Sequence, residues 1–163
     1  MKRGAVLLGC WTMALVMAAS ASLEGLQAPS GGDVALVAHP GVPANDLSFA
    51  EVRKLLLGDR QFWTPGLRVT LLLRAPAARE RDVVLRLIYQ MSEAQFRQYW
   101  IGKVFRAEAA SGPKVVYSSE EAVAQAAATP GSIAFVEASR APKNLKLVKI
   151  DGRLPGEGGY RLR

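Results

Sequence analysis

The chain has 163 residues, 50% of them hydrophobic and 21% charged, which suits one domain with an appendage and excludes collagen-like, coiled-coil and wholly disordered classes. Twenty-one basic residues against 14 acidic ones give +7, but no dense Lys/Arg block stands behind that charge, so a mixed basic surface is expected and not a nucleic-acid footprint. One cysteine and one histidine exclude an intrachain disulfide framework, a Cys-rich zinc site and every two-histidine metal motif, and neither metal nor cofactor is expected.

Residues 1–21 read as a secretory signal peptide. Lys2 and Arg3 give a positive start, Ala5 to Ala19 an apolar run, and Ala19-Ser20-Ala21 a small-x-small cleavage site. The run is too short for a membrane-crossing helix, which needs about 20 residues, and no later segment is apolar for as long. Leu7-Leu8-Gly9-Cys10 resembles a lipoprotein box but falls too early, since cleavage there leaves only five apolar residues ahead of it. Removal of 1–21 leaves 19 basic and 14 acidic residues, a balance of +5, and no cysteine, as suits a periplasmic or secreted protein.

Residues 22–33 read as a linker. Val34 to Ala38 is a short apolar run, expected of a strand buried on both faces, and His39-Pro40-Gly41 breaks it. Ser48 and Glu51 have capping-box spacing, with Leu47 and Val52 as a staple, and open a helix with Gly58 suited to its end. A loop with Phe62, Trp63 and the turn signal Pro65-Gly66 follows; Trp63 reads as a lid on the core or as a binding platform, with the core favoured. Arg68 to Arg74 reads as a second strand, and Val83, Val84, Leu87, Ile88 and Met91 as the apolar stripe of a helix. Ser92 and Gln95 cap a further helix, in which Phe96, Trp100 and Val104 recur at steps of four and are expected in the core. Val115 to Tyr117 is extended, Ser118 and Glu121 again have capping-box spacing and open an alanine-rich helix, and Thr129-Pro130-Gly131 stops it. Ser132 to Val136 and Leu145 to Ile150 read as the last strands, the latter alternating apolar and basic like an edge strand. The Gly- and Arg-rich tail, 151–163, reads as loose. Strands interleaved with helices over 34–150 imply an α/β domain with a mostly parallel sheet flanked by helices.

Several pieces in this order resemble phosphate-type substrate-binding proteins of ABC transporters. Leu55-Leu56-Leu57-Gly58 followed by Phe62-Trp63 is similar to the family's "IFLGK…W" stretch. Val69 to Arg74 is similar to its strand ending in arginine, and Pro130 to Val136 resembles "PGAIGYV". Arg79, Tyr99-Trp100, Phe105 and Pro113 to Val116 match the short members best. The resemblance implies a type II periplasmic-binding-protein-like fold reduced to one lobe, phosphate or another small anion as ligand, and an ABC transporter or another periplasmic protein as partner. In long members the strand-end arginine continues as R-x-x-x-S-G-T, and here those last three positions hold Ala78, Arg79 and Glu80, without the hydroxyls.

The candidate ligand-binding residues are therefore Arg74, Ala78, Arg79 and Glu80; His39, which follows a strand, reads as lining the same sheet edge or, the favoured alternative for a lone histidine before proline, as a loop hydrogen-bonder. A helix start beside a strand-end arginine brings amide donors and charge together, and ligands of open α/β sheets sit at carboxyl ends of strands. The competing reading pairs Arg74 and Arg79 with Glu80, Asp82 or a neighbouring chain. The same residues also suit an interaction module that has lost ligand binding. No nucleophile elbow, P-loop or HExxH motif occurs, so an enzyme is not expected. Mass spectrometry of the exported protein is expected to show an N-terminus near Ser22 and no lipid on Cys10; a diacylglyceryl-modified Cys10 would overturn the compartment argument.

Overall fold

The structure is a computed structural model that describes residues 32–163; the signal-peptide segment and most of the expected linker lie outside the described residues. Its centre is β1 (Val34–Ala38), all five residues of which are buried, as the unbroken apolar run demands. Alternation along this strand divides the core. Val34, Leu36 and Ala38 face one apolar cluster, and Ala35 and Val37 face another.

After β1 come a short strand β2 (Asp46–Leu47) and helix α1 (Phe49–Leu56). Its expected capping box is present: Ser48 N–H donates to Glu51 Oε2 at 2.8 Å, and Glu51 N–H donates to Ser48 Oγ at 3.2 Å. Gly58 ends the turn at φ +72°, and a Cβ there would lie 2.9 Å from the Trp100 ring, so both conformation and space require glycine. The expected strand 68–74 is divided. Strand β3 (Phe62–Thr64) folds back on β4 (Leu67–Arg68), and only β5 (Thr70–Arg74) enters the main sheet. Trp63 is buried and donates from Nε1 to the Gly131 carbonyl at 2.8 Å, which fixes it as a lid on the core.

Helix α2 (Arg79–Val84) passes into a π-helical turn at Leu85–Tyr89. The wider turn alters the expected stripe: Val83, Val84 and Ile88 are buried as expected, Leu85 and Tyr89 join them, and Leu87 and Met91 are only partly buried. Ser92 and Gln95 form their capping box at the start of α3 (Glu93–Phe105). Phe96 and Trp100 are buried, but Val104 is 41% exposed, and Lys103 is buried in its place. Steps of four overshoot a helical turn by about 40° each, so a third member drifts off the core face. The Lys103 ammonium donates to the Leu57 carbonyl at 2.7 Å and to Asp59 at 2.6 Å, and Tyr99 Oη donates to the same carbonyl at 2.8 Å, which satisfies the end of α1.

The remaining elements are β6 (Lys114–Val116), α4 (Ser119–Ala128), β7 (Ser132–Glu137), β8 (Lys146–Leu147) and β9 (Lys149–Ile150). The five-stranded sheet has the order β6-β5-β7-β1-β8. Strand β5 is parallel to β6 and β7, whereas β1 is antiparallel to β7 and β8. The α/β layering expected from the sequence stands, but the sheet is mixed and not mostly parallel, because β1 enters from the opposite direction. Residues of α1, α2 and α3 pack in the cluster on one face and those of α4 in the cluster on the other. The expected last strand divides at buried Val148: β8 forms the sheet edge, and β9 pairs with β2.

The tail is not loose. Tyr160 and Leu162 are buried, Val34 N–H donates to the Leu162 carbonyl at 2.9 Å, and Tyr160 Oη donates to the Val34 carbonyl at 2.8 Å. Two apolar side chains spaced by two residues outweigh the glycine content, and the packed domain runs to the end of the chain rather than to residue 150. Among the described residues no helix is long and apolar enough to cross a membrane. Trp100→Ala is expected to cost about 3 to 5 kcal/mol, the range for truncating a core aromatic, whereas Val104→Ala should leave the denaturation midpoint nearly unchanged; equal losses would refute this placement of α3.

Candidate functional site

Strands β5 and β6 run parallel and end together, Arg74 being level with Val116. Each then leads into a helix on its own face, α2 after Arg74 and α4 after Val116. The turn from β5 reaches α2 through Ala77, held at φ +68° where an L side chain is strained, and Ala78, which caps the helix without a side-chain acceptor. Glu80, in the first turn of α2, is 8% exposed. Its carboxylate stands 3.8 Å from Arg74 Nε and accepts from Ser119 Oγ at 3.4 Å, so it spans the starts of both helices.

Arg74 is mostly buried, and its Nε and Nη1 atoms are shielded from solvent without a hydrogen-bond partner. The pairing with Glu80 is thus electrostatic contact, too long for a hydrogen bond. Glu120, at the start of α4, is exposed. Its carboxyl is held below the usual range by hydrogen bonds from its own backbone and Ser118, with Arg140 and Arg74 adding to the effect.

Arg81, which has no distinguishing feature in the sequence, is the better-satisfied neighbour. It is 4% exposed, donates to Glu93 at 2.9 and 2.6 Å and to the Arg74 carbonyl at 2.9 Å, and lies 4.8 Å over the Phe96 ring. One guanidinium therefore ties the end of β5 to α2 and α3. The Arg81–Glu93 pair spans twelve residues and follows no helical or strand period, which is why sequence reasoning passes over it.

The structure brings Arg74, Ala78, Arg79 and Glu80 to one edge, as expected, and realises the Arg74–Glu80 pairing that the sequence left as the competing reading. His39 is not there. Ala38 is level with Ile133 and, through it, with Leu71, so the antiparallel entry of β1 places His39 at the opposite edge. Its Nδ1 accepts from the Gly41 N–H at 3.0 Å, the loop hydrogen bond that the favoured reading of this histidine expected. Among the described residues no group of three or more His, Cys, Asp or Glu side chains is arranged to hold a metal ion.

No protein-family model and no curated protein matches the chain. Solved structures do. A protein described as a phosphate ABC transporter substrate-binding protein from Clostridium perfringens, with bound phosphate, shares the fold at a TM-score of 0.60 and 15% identity over 74% of this chain and 46% of its own. PstS from Borrelia burgdorferi matches at 0.59 and 15% identity, over 76% of this chain and 49% of its own. An ABC-type phosphate transport receptor from Vibrio cholerae matches at 0.60 and 14% identity, over 76% and 48%. The likeness is one of fold: this is a periplasmic-binding-protein-like α/β lobe, and the chain spans less than half the length of these structures.

The pairing of Arg81 with Glu93 carries a testable pH dependence. Hydrogen bonding from Arg81 lowers the Glu93 carboxyl from its ordinary value, so its stabilisation is present above that ordinary value and is lost as pH falls through the lowered one. Glu93→Gln should cost about 1 to 3 kcal/mol near neutrality, with the deficit closing in acid as the parent carboxylate protonates. A deficit independent of pH would show that the charge on Glu93 contributes nothing.

Proposed function

We propose that this chain is an exported lobe of phosphate-type substrate-binding character that recognises a small oxyanion weakly at Arg74, working with an ABC transporter or another periplasmic protein. The observation that carries this reading is the pair of buried Arg74 donors, Nε and Nη1, left without a hydrogen-bond partner while Glu80 stands 3.8 Å away. Unsatisfied buried donors cost about 1 to 3 kcal/mol each, and an oxyanion seated between Arg74 and Ser119 would satisfy them. Glu80 occupies that space and carries the ligand's own charge, so the anion must displace it towards solvent. Two or three charge-assisted hydrogen bonds of about 1.5 to 3 kcal/mol each, set against an association cost of at least about 4 kcal/mol, support millimolar affinity.

A second reading, a protein-docking module, is favoured by a separate feature. Ile101, Val104 and Phe105 form an i, i+3, i+4 ridge on the outer face of α3 and are 64, 41 and 90% exposed. Neither reading assigns the chain a catalytic role.

Calorimetric titration with inorganic phosphate separates them. The oxyanion reading expects millimolar binding by the parent, at least a tenfold loss in Arg74→Ala, and at least a tenfold gain in Glu80→Thr, which removes the resident carboxylate and supplies a hydroxyl. No saturable binding by either the parent or Glu80→Thr would overturn it and leave the docking module.

A further inference from the structure

A concave surface lies at the other end of β5. A cleft of about 290 Å³ opens between the loop after α1, the first residues of β5 and the segment leading into β6. Its apolar lining comes from the partly exposed Val69 and Leu71 and from Trp100, which is 7% exposed, Leu55 being fully buried; Arg60, Arg68 and Lys114 also line it, and no Asp or Glu does. Acidic side chains on the bordering segments are already engaged: Asp59 with Lys103 at 2.6 Å and Glu108 with Arg106 at 2.6 Å. Arg60, Arg68 and Lys114 enter none of the ion pairs among the described residues.

Two of the three cations are positioned by neutral groups and form no close ion pair, although Arg60 is near enough to Glu51 to help lower its carboxyl. Arg60 donates to the Phe62 carbonyl at 3.3 Å and lies 5.3 Å from the centre of the Trp63 ring. Arg68 donates from Nη2 to Gln61 Oε1 at 3.4 Å and lies 5.7 Å from the centre of the Phe62 ring. Gln61 is itself held, donating to the Glu108 carbonyl at 2.6 Å. A guanidinium has five N–H donors, so both arginines keep donors for a ligand after these contacts. Three like charges around one concave apolar floor focus a positive potential there, and an anion also relieves their mutual repulsion.

We propose that this cleft binds a small organic anion: a carboxylate or phosphate group met by Arg60, Arg68 and Lys114, on a flat apolar body lying against Val69, Leu71 and the accessible margin of Trp100. The volume is at the small end of ligand pockets, which run from about 300 to 1,000 Å³, and so selects a single-ring ligand. The site is independent of Arg74, which lies at the opposite end of the same strand.

The test is a titration of the isotope-labelled full chain with benzoate, phenyl phosphate and inorganic phosphate, followed by backbone amide chemical shifts. Both aryl anions are expected to give saturable shifts at Thr70, Leu71, Ser111 and Gly112, at least tenfold tighter than inorganic phosphate at those amides. Lys114→Met combined with Arg68→Met should weaken them at least tenfold with the denaturation midpoint retained, and Arg74→Ala should leave them unchanged. Lys114→Glu alone serves as the check should the double variant be unstable, and it should weaken binding likewise. No saturable aryl-anion shift at these amides, inorganic phosphate binding there as well as the aryl anions, or aryl binding that survives in Lys114→Glu would each overturn the proposal. Failure at Arg74 leaves these outcomes untouched, so the two sites are tested separately.

Discussion

Two guanidinium groups are taken out of water at the carboxyl edge of the sheet, and the way each is compensated organises the elements around it. Arg81 is fully engaged, with the Glu93 carboxylate, the carbonyl at the end of β5 and the face of Phe96 all within reach. Removing a charge from water is costly unless charge and hydrogen bonds are both restored, and here they are, so β5, α2 and α3 are fixed against one another. Arg74 differs. It has a countercharge in Glu80 but lacks the hydrogen bonds, and two of its donors are buried without partners. One edge of the lobe is thus rigid at Arg81 and incompletely satisfied at Arg74, a few residues away.

That contrast bears on how such a lobe relates to its structural neighbours, among them a protein seen with phosphate bound. A strand-end arginine beside two helix starts is suited to an oxyanion, and a carboxylate is the closest chemical substitute a protein can supply from its own side chains. Glu80 fills that role here. It supplies the countercharge to Arg74, and under the proposed reading any oxyanion has to compete with it. At the opposite edge the charge distribution is reversed: Arg60, Arg68 and Lys114 surround a cleft without an acidic residue. The lobe therefore has one cationic edge with a carboxylate set against its arginine and another whose cleft is lined by cations alone among its charged residues.

Much of this was legible in the sequence wherever the signal was local. The capping boxes at Ser48 and Ser92, the buried strand Val34 to Ala38, the break at Gly131 and the gathering of Arg74, Ala78, Arg79 and Glu80 depend on residues within a few positions of one another, whereas at Ser118 only half of the expected box forms, Glu121 accepting from the Tyr117 N–H instead. What escaped depends on contacts between distant segments. The docking of Tyr160 and Leu162 on Val34 cannot be seen from a glycine-rich tail, and the displacement of His39 follows from the direction in which β1 enters the sheet. Val104 fell outside the core because a step of four drifts around the helix, and the buried cation Lys103 took its place to hold the end of α1. Arg81 and the cleft cations come from separated segments, and only the fold puts them beside their partners.

The central claim is that Arg74 retains unfulfilled donors that Glu80 shields and an oxyanion can claim. The side-chain Nε–H resonance of Arg74 reports on this directly through its exchange with water and its shift during a phosphate titration. The account predicts slow exchange in the parent, faster exchange in Glu80→Thr, and a saturable shift of that resonance when phosphate is added to the variant. An Arg74 Nε–H that exchanges in the parent as fast as that of exposed Arg140, and does not move with phosphate in either protein, would contradict it.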